Sequence, residues 1–251
     1  MRIKLEVGEK IFTCDLYKGI DISIPFVNEG GVVAFGADNY KSTPFRAGDF
    51  IGNLESGSPV NFYNLFFNPH GNGTHTESVL HIDERGKTIS ETLTRSHFIA
   101  KLITVEPSEL NNGDLIIDLN NCPIVKEELE NIEALIIRTT PNTTKKLSKN
   151  YTNTNPCYFD KAVMETLNET SIKHLLIDLP SVDREEDGGM LLAHNSFWKT
   201  KTEIAIDKTI TEMIYVDNAY EDGLYLLNIH TISVDIDASP SKPILFELKE
   251  I

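Results

Sequence analysis

Apolar residues in this chain come in short, strand-length runs spread from one end to the other, with polar, turn-forming stretches between them. RIKLEV at 2–7 alternates apolar and polar positions, IFTCDL at 11–16 and DISIPF at 21–26 follow, and Gly8 and Gly19 stand between them as turn signals. This pattern predicts an antiparallel opening. FIAKLITVE (98–106), DLIIDL (114–119), EALIIRT (133–139) and HLLIDLP (174–180) are more continuously apolar, as strands buried on both faces are. Helical spacing is confined to KEELENI (126–132) and FDKAVMETLNET (159–170), and the second runs straight into HLLIDLP. A helix feeding a buried strand is half of a βαβ unit, so the expected fold class is α/β, layered at its centre with β-hairpins outside. With no internal repeat, residues 1–251 are expected to form one domain, with an N-terminal β arm at 1–25. TTPNTTKKLSKNYTNTNP (139–156) reads as a long exposed loop.

Charge narrows the function. A formal net charge of −15 and a pI near 4.9 repel phosphate backbones and anionic lipid, which excludes nucleic-acid and membrane-surface roles. The first residues hold no sustained apolar segment, and no run approaches the roughly 18 apolar residues of a membrane span, so a cytoplasmic location is expected. Cys14, Cys122 and Cys157 are odd in number and far apart, which reads as reduced packing residues.

The chemistry concentrates in HGNGTHTESVLH, residues 70–81, which holds three of the seven histidines and Glu77. Histidine and carboxylate bind a borderline divalent metal such as zinc or manganese. On an extended strand His75, Glu77 and His81 share parity and face one way. His70 has the wrong parity, but Gly71 and Gly73 permit a bulge or turn that restores its direction. The competing reading is a polar loop whose histidines bond separately. A second polar block, DLPSVDREEDGGMLLAHNSFW at 178–198, follows a buried strand and carries Asp178, Asp183 and His194, and the carboxyl ends of such strands are where α/β sheets build sites.

G-T-H-x-E-x-x-x-H at 73–81 resembles the H-x-G-T-H-x-D-x-P-x-H motif of the cyclase-like metal-dependent hydrolases, which include bacterial kynurenine formamidase and isatin hydrolase. Matches continue through DIS (21–23), LIIRT (135–139), D-x-P-S-V-D (178–183), AH (193–194) and DASP (237–240). The resemblance implies a swivelling β/β/α domain, a homo-oligomer such as a dimer or tetramer, and hydrolysis of a non-peptide carbon–nitrogen bond in a linear or cyclic amide. It implies that His75 and His81 are metal ligands, that Glu77 stands where the family has its metal-bridging aspartate, and that His194 and Glu212 are later ligands with catalytic roles. One or two zinc or manganese ions would supply hydroxide at neutral pH and a polarised carbonyl. A lactone or other cyclic-ester hydrolase, or a member that binds metal without turnover, would carry the same site.

Two departures from the family pattern stand out. Its first histidine falls on Gly71, one residue after His70, and Glu77 is one methylene longer than aspartate. His70 is expected to replace the missing ligand through a turn at Gly71-Asn72-Gly73. Asp178 and Asp183 either orient ligand histidines or form an ordinary turn. His97, His174 and His230 are expected to be structural, REED (184–187) a solvated turn, and Phe62, Tyr63, Phe66, Phe67 and Trp198 mainly core, with a substrate wall as the alternative.

Overall fold

The computed structural model describes residues 1–251. Its main sheet has nine strands. Four parallel strands make the middle, in the order Thr209–Glu212, His174–Ile177, Ala134–Thr139 and His97–Val105. Beyond Thr209–Glu212 lie His75–Ser78 and then Ala238–Pro240, both antiparallel to their neighbours. Beyond His97–Val105 lie Gly223–Asn228, Ile244–Glu247 and the two-residue Ile20–Asp21. The architecture is mixed α/β, as the sequence pattern predicts.

Three of the four continuous apolar runs form central strands, because both faces of the sheet are covered there, whereas DLIIDL forms only Leu115–Ile117 of a separate three-stranded sheet, with Leu115 and Leu119 exposed. Ala134–Thr139 and His174–Ile177 are buried at every position. Alternation along the strand sends Leu135, Ile137, Leu175 and Ile177 into the larger core, beneath the helices Lys161–Leu167 and Leu192–Phe197. Ala134, Ile136 and Leu176 face a second core with Phe98, Leu102 and Leu227. Asp160 caps the first helix by accepting from Ala162 N at 2.8 Å, satisfying one of the amides the helix start leaves open.

The N-terminal runs pair as Arg2–Val7 with Lys10–Asp15 across Gly8, whose φ of 59° is the left-handed conformation glycine favours. Lys249–Glu250 adds a third strand, and Cys14 seats this small sheet on Leu226 and Phe246 of the main one.

Three further expectations need correction. KEELENI forms only a 3₁₀ turn, Lys126–Leu129, because its apolar stripe is limited to Leu129 and Ile132 and Asn131 turns left-handed at φ 63°. Phe62, Tyr63, Phe66 and Phe67 are exposed rather than core. Tyr63 and Phe66 lie in a two-stranded ribbon, Lys41–Pro44 paired with Tyr63–Phe66 and exposed along that second strand, and Phe62 and Phe67 flank it, against the Phe45 and Phe26 rings.

The 139–156 stretch is not an exposed loop throughout, since Asn142, Lys146 and Tyr151 are buried. Lys146 Nζ donates to Asp178 Oδ2 at 2.6 Å, Thr139 O at 2.8 Å and Thr139 Oγ1 at 2.9 Å. Burial pushes the Asp178 carboxyl up, against the pull of Lys146 and of the Thr139 amide and hydroxyl, so the ammonium folds inward to meet it. Lys146→Met should therefore cost about 3–5 kcal/mol, the usual penalty for stranding one member of a buried pair, measured by urea unfolding. The double variant Lys146→Met/Asp178→Asn should recover part of that loss. A single variant as stable as wild type would show that the pair does not anchor the loop.

Candidate metal centre

Strand pairing assembles the floor of the site. His75–Ser78 is buried at all four positions, and its register sets His75 opposite Glu212. Opposed residues on antiparallel strands project to the same face, which brings His75 Nε2 to 3.4 Å from Glu212 Oε2. His75 Nδ1 lies 3.0 Å from Gly73 O. A carbonyl only accepts, so Nδ1 carries a proton and Nε2 is the ring nitrogen that faces the site. Gly73 has φ 152°, and a Cβ there would meet the Phe26 ring at 2.8 Å, so this approach requires glycine.

His194 reaches the floor from the helix Leu192–Phe197. Asp183 sets its position by accepting from Ala193 N at 2.6 Å, His194 N at 3.1 Å and His194 Nδ1 at 2.6 Å. The opposite nitrogen, Nε2, lies 3.1 Å from Glu77 Oε1 and 3.9 Å from Glu212 Oε1. Trp198, fully buried, packs 5.3 Å from the His194 ring. Of the two aspartates weighed from sequence, Asp183 holds the histidine, whereas Asp178 belongs to the Lys146 pair.

His70 and His81 form a partly exposed rim. His70 stands in a turn where Gly71 N donates to Asn68 O at 3.2 Å and His70 N to Asn68 Oδ1 at 2.9 Å. That turn carries His70 Nδ1 to 3.1 Å from Glu77 Oε2. His81 Nε2 lies 3.9 Å from the same oxygen. Strand parity accounts for His75 and Glu77 but not for His81, because the strand stops at Ser78 and the 3₁₀ turn Val79–His81 makes the approach. All six residues singled out from sequence, His70, His75, Glu77, His81, His194 and Glu212, come together. Asp237 was missed: its Oδ2 contacts both His70 Nε2, at 2.9 Å, and His81 Nδ1, at 3.0 Å. The DASP match was its only signal in the sequence.

The remaining histidines lie outside the cluster. His174 sits beside Thr209 Oγ1 at 2.9 Å and against the Phe98 ring, His97 contacts Asn228, and His230 is exposed. The REED run is more than a solvated turn, since Arg184 pairs with buried Asp114 and Glu185 accepts the Asn153 and Asn155 amides.

The cluster packs the carboxylates of Glu77, Glu212, Asp183 and Asp237 against the rings of His70, His75, His81 and His194. Burial resists ionisation of Glu77, yet His81, His194 and His70 hold its carboxyl well below the usual range. Burial and the Glu77 charge push Glu212 up. Burial works against protonating His194 and His70, but Asp183 and Glu77 raise the first to about 10, and Asp237 and Glu77 raise the second to about 10. Three buried atoms nevertheless lack a hydrogen-bond partner: His75 Nε2, Glu77 Oε2 and Glu212 Oε1. His70 Nδ1 is within ion-pair distance of Glu77 Oε2 but not in hydrogen-bond alignment with it. Unpartnered buried polar atoms cost about 1–3 kcal/mol each, and an ion is one standard reason to find them. Two donor groups, His70/Glu77/His81 and His75/Glu77/Glu212, each have their ligand-type atoms within 4.8 Å of one another. Nitrogen and oxygen donors without thiolate suit zinc or manganese, so these residues fit a divalent metal.

Fold and cluster together define an α/β protein built around a histidine–carboxylate centre able to hold a divalent metal. The sequence profile of the Cyclase family matches residues 20–184, about two thirds of the chain, and the chain belongs to that family. No curated protein sequence matches it. Among solved structures it is similar to one described as a potential metal-dependent hydrolase with cyclase activity, with TM-score 0.62 and 16% identity, covering 91% of this chain and 97% of that one. An isatin hydrolase bound to the product analogue thioisatinate gives TM-score 0.62 and 14% identity, over 92% of this chain and 93% of that one. Isatin hydrolase A from Ralstonia solanacearum gives 0.61 and 12%, over 91% of each chain. At these identities the likeness is one of fold. No helix is long and apolar enough to cross a membrane.

Proposed function

We propose that this protein is a metal-dependent hydrolase that opens a non-peptide carbon–nitrogen bond in a small linear or cyclic amide. The observation carrying the proposal is the convergence of three unpartnered buried atoms, His75 Nε2, Glu77 Oε2 and Glu212 Oε1, in a Cyclase-family chain whose structural neighbours include isatin hydrolases. His75, Glu77, Glu212 and His194 would hold an ion from the floor, with His70 and His81 at the rim.

When bound, the ion supplies a nucleophilic water at neutral pH and polarises the carbonyl under attack. The chain's own part is orientation. Gly73 O and Asp183 fix the ring directions of His75 and His194. Glu77 turns one oxygen to His194 and the other to His70 and His81, so it can serve both donor groups. Asp183 engages His194 at Nδ1, which leaves Nε2, buried and facing Glu77 and Glu212, as the nitrogen that would hold the ion. His81, about one third exposed, closes the rim on the solvent side, with Asp237 holding its Nδ1 and its Nε2 turned toward the cluster.

The test strips the protein of metal with a chelator, reloads zinc or manganese separately, and assays isatin, N-formylkynurenine and simple lactones. Metal-dependent turnover of an amide substrate supports the proposal. A protein that takes up neither ion overturns it, and turnover restricted to lactones moves the reaction to ester chemistry.

A further inference from the structure

One carboxylate in the cluster has no part in the proposed reaction, yet two rim histidines lean on it. Asp237 Oδ2 lies 2.9 Å from His70 Nε2 and 3.0 Å from His81 Nδ1. An ionised carboxylate only accepts hydrogen bonds, so the two ring nitrogens facing it carry their protons. The opposite ring atoms, His70 Nδ1 and His81 Nε2, are then the ones turned toward Glu77 Oε2, at 3.1 and 3.9 Å. The two ring centroids lie 4.2 Å apart, tilted by 31°, close enough for one carboxylate oxygen to reach both.

Asp237 is itself held by the sheet. Its carbonyl accepts from Ser78 N at 2.9 Å, and the next residue, Ala238, pairs directly with Glu77. The strand pairing that presents Glu77 therefore also fixes where Asp237 stands. The floor has separate supports: Gly73 O holds His75 and Asp183 holds His194, and neither contacts Asp237.

We infer that Asp237 is a positioning residue for half of the metal centre: a single oxygen sets the tautomer and direction of both His70 and His81, leaving the floor ligands independent of it. The inference rests on the metal-binding reading above. An outer carboxylate behind a ligand histidine ordinarily contributes about 10- to 100-fold in metal affinity. Here one such carboxylate serves two histidines, and its removal should be felt at the rim alone.

Cobalt(II) titration of the metal-free full-length protein, followed by visible absorption, tests this. Asp237→Ala is expected to weaken the rim-bound fraction by about 10- to 100-fold, while the floor-bound fraction keeps its affinity and its absorption band. Asp237→Asn keeps an acceptor oxygen and should recover part of the loss, which a merely structural role would not predict. Asp183→Asn should do the reverse, weakening the floor fraction. Equal cobalt affinities in wild type and Asp237→Ala overturn the inference, as does a loss spread evenly over all bound cobalt. Wild type that binds no cobalt overturns the metal reading beneath it, a result distinct from equal binding in both proteins. Should the alanine variant fail to fold by circular dichroism, the asparagine variant decides, since unchanged affinity there again counts against Asp237.

Discussion

Glu77→Ala is expected to abolish tight binding of divalent metal and to lower hydrolytic turnover by more than about 100-fold, the upper end of what loss of an outer partner alone costs. Glu77 is the only residue common to both donor groups. Its Oε1 faces His194 and its Oε2 faces His70 and His81, so no other single change removes a donor from both sides. Replacing it also leaves His70 and His194 without one of the carboxylates that raise them. Glu77→Gln is the sharper variant, because it keeps volume and one acceptor while removing the charge. Metal content after dialysis, measured beside circular dichroism to show that the fold persists, checks both variants. Retention of wild-type metal in folded Glu77→Gln would mean that the carboxylate charge is not what holds the ion.

What was legible in the sequence follows from which forces are local. Ala134–Thr139 and His174–Ile177 could be read directly because burial on both faces leaves an uninterrupted apolar run. His75 and Glu77 could be placed on one face because a strand alternates with period two. His81 could be grouped with them but not for the right geometric reason, since the Ser78-capped 3₁₀ turn that delivers it leaves no periodic mark in three residues. Lys146 and Asp178 looked like loop and turn residues because their partnership spans 32 positions and exists only once the fold closes. Asp237 is 156 residues from His81, and only the pairing of Ala238–Pro240 with His75–Ser78 brings them together. The exposed aromatics of the Lys41–Phe66 ribbon were misread because apolar composition predicts burial on average, and nothing local says whether a second layer is present to supply it.

The second large effect concerns His70, which stands one residue before the position of the family's first histidine. At that position Gly71 has no room for a side chain: a Cβ would lie 2.4 Å from Ala37 Cβ and 3.3 Å from Ala34 O. Ala34 N also donates to Gly71 O at 3.0 Å, so the backbone is pinned against its neighbour. The turn from Asn68 to Gly71 instead carries His70 to Glu77. His70→Ala should therefore lower affinity for metal by at least about 10-fold, taking the lower bound for a supporting group as a floor for a ligand. Moving the histidine into the family register, His70→Ala/Gly71→His, should fail to restore binding and should cost about 1–3 kcal/mol in stability, the usual penalty for forcing extra atoms into a packed site. Metal titration and urea unfolding of the two variants separate these effects. If His70→Ala binds metal with wild-type affinity and stoichiometry, His70 is not a ligand. If the shifted variant is as stable as wild type and binds metal as tightly, steric exclusion at Gly71 is not what moved the histidine.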